Sequence, residues 1–189
     1  MGEQQDVIEI LVTDHREVED MFARLERLAA TGGDAGEAGL LAEKVVIELV
    51  RHSVAEEEYL YPAVRKHVPG GDETADHEIQ EHAEAEETMK RLERLEPGDA
   101  DFWPAVHRLI EQIRHHLDEE ENDLFPRLRQ SCSHERLVEL GTKIQRAKRL
   151  APTRPHPSAP DTPPGNRLLA PGTALVDRVR DALSGRGRP

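Results

Sequence analysis

The chain is built around a long internal repeat. Residues 14–28, DHREVEDMFARLERL, align without a gap on residues 81–95, EHAEAEETMKRLERL. Residues 52–62, HSVAEEEYLYP, align in the same way on residues 116–126, HLDEEENDLFP. Because both halves keep the same residues at the same spacing, we expect one structural unit to occur twice in a single fold.

The repeated halves have the periodicity of amphipathic helices. Leu, Ala, Glu and Arg dominate residues 1–150, apolar residues recur at spacings of three and four, and no stretch alternates with a period of two. Four long helices with short links favour an all-α, up-down-up-down four-helix bundle, here pseudo-twofold, and a fifth, short helix follows it with Ser133 as its N-cap. The five predicted helices span residues 6–30, 37–67, 73–96, 101–129 and 134–150.

Residues 151–189 differ in kind from the rest. They contain eight of the thirteen prolines, and six arginines against three aspartates give them a charge of +3, whereas the entire chain carries −13. We therefore predict one bundle domain over residues 1–150 and a flexible, Pro-rich tail over residues 151–189. Only residues 175–183, LVDRVRDAL, have helical spacing, and this amphipathic segment of the basic tail is a candidate contact for the acidic bundle or for an unidentified protein partner.

Composition excludes several classes of function. An acidic chain with 3% aromatic residues lacks the basic face and stacking rings that nucleic-acid binding needs. Cys132 is the only cysteine, so no intramolecular disulfide can form. The first residues do not resemble a signal peptide, and no apolar run is long enough to span a membrane. We expect a soluble, cytoplasmic protein with no membrane contact.

A histidine interrupts the apolar stripe of each long helix, and in two helices a glutamate follows it by four residues on the same face. Buried ionised carboxylates and unpaired imidazoles are costly unless something compensates them, and a metal would compensate them all. Imidazole and carboxylate donors suit iron or manganese, and two such pairs with two further histidines surround two metals rather than one. The six inward residues are His15, His52, Glu56, His82, His116 and Glu120.

Neighbouring acidic residues lie off these stripes, and His115 is rotated about 100° from His116 on a helix. We predict that His115 lies in the second coordination shell or at the surface. Pro62 and Pro126 are predicted to kink or end their helices and to shape the bundle beyond the metal site. The acids predicted to face solvent are Glu57, Glu58, Glu119 and Glu121.

Four segments in order, DHREVEDMF, HSVAEEEYLYP, EHAEAEETM and HHLDEEENDLFP, resemble the hemerythrin-like, or HHE cation-binding, family over residues 6–130. The likeness is greatest to actinobacterial hemerythrin-like proteins. The resemblance implies a non-haem centre of two iron ions, bridged by two carboxylates and an oxo or hydroxo group, that binds O2 or related small molecules; manganese is the alternative metal. It implies as ligands His15, His52, Glu56, His82, His116 and Glu120.

The chain departs from oxygen-carrying hemerythrins at one ligand. Those proteins have a further histidine four residues after the one that corresponds to His82, and Glu86 stands there instead. His77 precedes His82 by five residues and matches that face poorly. Glu86, Tyr59 or solvent are candidates to fill the vacancy. Further candidates for additional ligands or second-shell groups are Glu19, His77 and His115.

Carboxylate or phenolate in place of imidazole stabilises Fe(III) over Fe(II), which disfavours reversible O2 transport. We therefore favour reaction with small oxidants, most concretely catalase-like decomposition of H2O2. Two alternatives stay open: a module that binds or senses O2 or NO, and an iron-dependent regulatory or interaction protein. The sequence assigns no catalytic residue, and enzymatic activity is itself a hypothesis.

Overall fold

The computed structural model of the protein describes residues 5–156, and every regular element within them is helical. The four long helices of a bundle are present, two of them interrupted, and a further helix packs against the first two. The predicted all-α bundle with a fifth helix is confirmed. The elements are α1 (Val7–Thr31), α2 (Ala35–Ala55), the π-helical segment π1 (Glu56–Leu60), α3 (Tyr61–His67), α4 (Gly71–Leu92), α5 (Phe102–Glu119), the π-helical segment π2 (Glu120–Leu124), α6 (Phe125–Ser131) and α7 (His134–Leu150).

Local sequence signals set the ends of α1 and α7. The side chain of Asp6 accepts a hydrogen bond from the backbone N–H of Glu9, and the Glu9 side chain accepts one from the N–H of Asp6, which forms a capping box. Gly32 ends α1 in the left-handed conformation, with φ of 62°. Ser133 caps α7 as predicted by accepting a bond from the N–H of Arg136.

Each of the two helices predicted over residues 37–67 and 101–129 is divided by a π-helical segment. At the end of each segment a backbone N–H donates to the carbonyl five residues earlier instead of four, which widens the helix by one residue. As a result, the residue five positions after each glutamate lies over it. The two bonds run from Tyr61 N–H to the Glu56 carbonyl and from Phe125 N–H to the Glu120 carbonyl.

Pro62 and Pro126 explain where the π segments occur. Each proline lies within the first two positions of the helix that follows, where the missing N–H is tolerated. In a continuous α-helix its ring would press on the carbonyl four residues earlier, and the wider turn relieves that contact. The prolines were predicted to act beyond the metal site, but the π segments that precede them begin at Glu56 and Glu120 themselves.

The third long helix starts earlier and ends sooner than predicted. The prediction covered residues 73–96, whereas α4 begins at Gly71 and ends at Leu92. Beyond Leu92 the N–H groups of Arg94 and Leu95 bond to carbonyls three residues back, so the chain tightens out of α-helical geometry.

Buried apolar side chains form two clusters, one at each end of the bundle. In α1, Leu11 belongs to one cluster and Val18 to the other, and His15 lies between them. The histidines of α2, α4 and α5 occupy the corresponding positions in their helices. A buried polar layer therefore separates the two apolar cores.

The helix α7 closes the bundle over α1 and α2. Leu137, Leu140 and Ile144 are buried in one of the apolar clusters. Gly141 permits this close approach, because a Cβ atom there would lie 2.8 Å from the backbone oxygen of Gln5.

The beginning of the segment predicted as a tail lies against the bundle. Lys90 Nζ donates to the carbonyl of Pro155, and Arg154 pairs with Glu93. Pro155 itself is buried. The domain boundary at residue 150 stays a prediction, and the amphipathic segment 175–183 lies outside the described residues.

Candidate metal centre

The structure brings the six predicted ligands together in the polar layer between the two cores. None of the six is more than 5% exposed, and both glutamates are fully buried. The histidines come from α1, α2, α4 and α5, and each glutamate is the first residue of a π segment. The six residues are His15, His52, Glu56, His82, His116 and Glu120.

The inner ring nitrogens and the glutamate oxygens form two main groups that share a carboxylate. One group contains His15, His52, Glu56 and Glu120, and the other contains Glu56, His82 and His116. Donor atoms of one metal lie about 3–3.5 Å apart when each bond is close to 2.1 Å. The observed separations are 3.1 Å for His52 Nε2–Glu56 Oε1, 3.3 Å for His15 Nε2–Glu120 Oε2, 3.4 Å for His82 Nε2–Glu56 Oε2, 3.8 Å for His116 Nε2–Glu120 Oε2 and 3.0 Å for His82 Nε2–His116 Nε2.

On its outer side, each histidine meets a carboxylate through Nδ1. An ionised carboxylate only accepts hydrogen bonds, so Nδ1 carries the proton. In a neutral ring this fixes the tautomer whose Nε2 lone pair faces the layer, the arrangement that second-shell carboxylates impose on metal-binding histidines. The Nδ1 bonds are His15 to Glu121 at 2.9 Å, His52 to Asp14 at 3.4 Å, His82 to Glu57 at 3.0 Å and His116 to Glu81 at 3.0 Å.

These outer carboxylates follow the internal repeat. Asp14 and Glu81 each precede the first histidine of their half, and Glu57 and Glu121 each follow the shared glutamate. Each acid serves a histidine on a different helix, and the bonds of Glu57 to His82 and of Glu121 to His15 join the two halves. The repeat itself carried this signal, since it conserves an acid at all four positions, but sequence reasoning about one helix at a time missed it.

The prediction that four neighbouring acids face solvent is therefore wrong for three of them. Glu57 and Glu121 are only 12% and 22% exposed, because they reach across to His82 and His15. Glu58 is buried as well. Glu119 is partly exposed, in keeping with the prediction.

Close pairing of imidazoles with carboxylates shifts the pKa values of several groups in the layer. Burial alone would lower the pKa of His52, but Glu56 and Asp14 outweigh it and raise that pKa to about 10. Burial opposes protonation of His82 too, and Glu56 and Glu57 raise its pKa to about 9. Burial also disfavours ionisation of Glu56, yet His52 and His82 hold its pKa well below the usual value. A metal that entered would displace the ring protons.

The donor set fits a metal because several of its buried atoms have no hydrogen-bond partner within the described residues. Neighbouring atoms lie close to them, but not at hydrogen-bonding angles. Orphaned buried donors and acceptors are costly, and coordination would satisfy them all. The unpaired atoms are His15 Nε2, His52 Nε2, both oxygens of Glu56 and Glu120 Oε2.

A family model described as the hemerythrin HHE cation binding domain matches residues 6–128 of the chain. The chain belongs to this hemerythrin family. An uncharacterised hemerythrin-like protein of Schizosaccharomyces pombe is 29% identical over 178 residues, which are 94% of this chain and 86% of that protein.

Two further proteins are similar to this chain. A DNA nickase of Nostoc is 28% identical over 144 residues, or 76% of this chain, but the match covers only 38% of the nickase. The crystal structure of a hemerythrin HHE cation binding domain-containing protein from Mycobacterium kansasii superposes with a TM-score of 0.64 at 20% identity, and it covers 77% of this chain and 86% of that one. The predicted family, with its likeness to an actinobacterial member, is confirmed.

The phenol beside the hemerythrin centre is that of Tyr61, not the predicted Tyr59. Tyr61 is fully buried, and its hydroxyl oxygen lies 3.1 Å from His82 Nε2 and donates to Glu120 Oε1 at 3.4 Å. Tyr59 is partly exposed and packs on one of the apolar clusters. Since the turn is π-helical, the residue that lies over Glu56 is five positions on rather than three or four.

The two halves of the centre differ in polarity. Phe125, which corresponds to Tyr61 in the repeat, stacks on His15 with ring centroids 5.7 Å apart. Glu78, whose counterpart in the first half is Leu11, is buried with Oε2 2.9 Å from His116 Nδ1. The half around His82 and His116 thus has a phenol and an extra carboxyl group, where the other half has a phenyl ring and a leucine.

The remaining predicted candidates lie away from the six-residue cluster. Glu19 pairs with Arg114, and Glu86 accepts a hydrogen bond from the backbone N–H of His156. His77 and His115 are exposed and pair with Glu119. None of the four belongs to the buried groups of donor atoms found among residues 5–156.

Within residues 5–156, no helix is both long and apolar enough to cross a membrane. The helices of the bundle carry charged residues on their exposed faces.

Proposed function

We propose that this hemerythrin-family chain holds two iron ions in the buried layer. In this proposal His15 and His52 would hold one ion, His82 and His116 would hold the other, and Glu56 and Glu120 would offer carboxylate oxygens to both. The supporting observation is that Glu56 belongs to both main groups of donors, while Glu120 lies near His15 of one and His116 of the other. Manganese is the alternative that metal analysis must exclude.

The reaction that we propose is decomposition of hydrogen peroxide, in which two H2O2 give two H2O and O2. Two iron ions would supply the electron exchange that this reaction requires. The protein must supply protons, because cleavage of the O–O bond leaves hydroxide, a poor leaving group unless it is protonated. The observation that carries the proposal is that the phenol of Tyr61 and the carboxyl group of Glu78 lie on one side of the centre.

Burial favours the protonated form of both groups. Burial raises the pKa of Tyr61 well above its usual value, and the carboxylates of Glu56 and Glu120 raise it further. Burial raises the pKa of Glu78 as well, against the opposing effect of His116. Tyr61 Oη therefore holds a proton next to the His82 ring and can deliver it to a small oxidant, and the Glu78 carboxyl group lies beside the His116 ring.

Oxygen evolution tests the proposal directly. Iron-loaded protein is mixed with H2O2 in an oxygen electrode, and the rate is compared with that of an equal concentration of free iron. We expect O2 at half the amount of peroxide consumed. Glu120→Gln should lower bound iron and the rate together, whereas Glu111→Gln, which changes an exposed glutamate of α5, should leave both unchanged. No turnover above free iron would refute peroxide decomposition.

The second candidate function is binding of O2 or NO, and the apolar half of the centre favours it. Phe125 and Leu11 offer no proton around His15, so a diatomic ligand there would meet no acid from these two residues. Dithionite-reduced protein is exposed to O2 or NO in a stopped-flow spectrometer. A complex that persists and dissociates reversibly would support binding, and rapid irreversible oxidation would count against carriage of O2.

A further inference from the structure

A second cluster of metal-binding side chains lies on the surface beside the buried centre. His77 and Glu81 are four residues apart on α4, and His115 and Glu119 are four residues apart on α5. This is the spacing of the two histidine–glutamate pairs in the buried layer, and it places both members on one face of each helix. Since α4 and α5 are packed neighbours, the two pairs face each other across the groove between them.

His77, Glu81 and Glu119 each offer a donor atom within 4.8 Å of the others, and His115 lies near both carboxylates. Glu119 uses one oxygen for each ring, with Oε2 2.8 Å from His77 Nε2 and Oε1 3.5 Å from His115 Nε2. Glu81 Oε1 lies near both rings, 3.8 Å from His77 Nε2 and 3.5 Å from His115 Nε2. Donor atoms around a tetrahedral ion with bonds of roughly 2.1 Å are about 3.4 Å apart, so His77, Glu81 and Glu119 are spaced to share one ion, and His115 is a further donor beside them.

We propose that His77, Glu81 and Glu119, with His115 beside them, form a separate surface site for a divalent transition-metal ion. Imidazole and carboxylate donors are suited to zinc, manganese or ferrous iron. The histidines are 53% and 63% exposed, so an ion can reach them from solvent without any opening of the bundle. The chemistry is therefore binding of a hydrated cation that exchanges with the medium.

Glu81 joins the surface site to the buried layer. Its Oε1 faces the two exposed histidines, while its Oε2 accepts the hydrogen bond from His116 Nδ1 at 3.0 Å. An ion on Oε1 draws electron density from the carboxylate that holds the His116 ring. Communication between the two sites depends on the proposed iron centre, but the surface site itself does not.

Zinc binding to the full chain tests the inference. Iron-loaded protein is dialysed against buffered free Zn²⁺, and zinc and iron are measured in the same sample by mass spectrometry. The test variant is His77→Ala with His115→Ala, which we expect to retain about one zinc fewer per chain than the unchanged protein. The matched control is His107→Ala with His134→Ala, which removes two other exposed histidines and should retain as much zinc as the unchanged protein.

A second variant guards against nonspecific effects. Glu119→Gln keeps both imidazoles and removes the charge that each ring contacts, so zinc should bind more weakly. Equal zinc in the unchanged protein and in the His77/His115 variant would overturn the proposal, and so would an equal loss in the control. If the iron content is low in every sample but the zinc difference persists, the buried iron centre fails and the surface site stands.

Discussion

Replacing Tyr61 by phenylalanine removes one oxygen atom from the buried centre and little else. The phenyl ring fits, because Phe125 occupies the corresponding position in the other half. The hydroxyl oxygen lies 3.1 Å from His82 Nε2 and donates to Glu120 Oε1 at 3.4 Å, and the side chain is fully buried. Because the position is buried, water cannot readily replace these contacts when the hydroxyl group is removed.

The size of the effect follows from that burial. The substitution removes the contact with His82 and the longer hydrogen bond to Glu120, and it leaves both partners buried without water. The free energy of unfolding of the metal-free protein should therefore fall by about 1–2 kcal/mol. For a chain of this length that corresponds to a fall in Tm of roughly 2–8 °C. If Tyr61 also gives the proton in peroxide cleavage, O2 evolution by the iron-loaded variant should fall by at least about tenfold.

The matched control is Tyr59→Phe. Tyr59 is partly exposed, so water can take over the role of its hydroxyl group, and we expect a change below about 0.5 kcal/mol. Both variants are unfolded in urea without metal, and both are then loaded with iron for the oxygen-electrode assay. Equal stability of the two variants would refute the hydrogen-bonding role of Tyr61, and equal O2 evolution at unchanged iron content would refute its role as proton donor.

Three further predictions test the layers around the centre. Glu57→Gln and Glu121→Gln should each weaken iron binding by about 10–100-fold, measured by competition with a chelator, because an amide cannot fix the ring as a carboxylate does. In metal-free protein, the pKa of His52 is raised to about 10 and that of His82 to about 9. Protonation of these rings therefore stabilises the fold fully below pH 6.5, and the contribution is lost as the pH rises through 9 to 10. Between pH 7 and 10, the Tm should therefore fall more steeply without iron than with it. Gly141→Ala should cost about 1–3 kcal/mol in urea unfolding, because the new methyl group meets the backbone of residue 5.

The inward position of the six buried donors was predictable because helical periodicity fixes which side chains share a face. His52 and Glu56 lie on the same stripe as Val45 and Leu49, and the structure buries all four. The same rule failed for the phenol. It places Tyr59, three residues after Glu56, on the inward face, but the i→i−5 bond of π1 brings Tyr61 there instead. Only the proline at position 62 hints at this departure, and it signals a break without giving its geometry.

The outer carboxylates could not be found from one helix at a time. Glu57 lies off the stripe of its own helix, so its face predicts contact with solvent, yet its side chain meets His82 of α4. Such a contact depends on how closely two helices approach. The repeat gives a partial signal of these contacts. Glu57 and Glu121 occupy corresponding positions, as expected if each carboxylate bonds to a histidine ring.

The places where the two halves diverge matter more for chemistry than the places where they agree. The repeat supplies two equivalent sets of rings and carboxylates, which is what two adjacent metals of the same kind require. Equivalent halves alone would present the same surface to a ligand from both sides. Tyr61 in place of Phe125 and Glu78 in place of Leu11 instead put a phenol and a carboxyl group beside the same two rings, those of His82 and His116. A small molecule bound in the layer would then meet polar groups on one side and hydrocarbon on the other, so the phenol proton of Tyr61 would reach it from one side only.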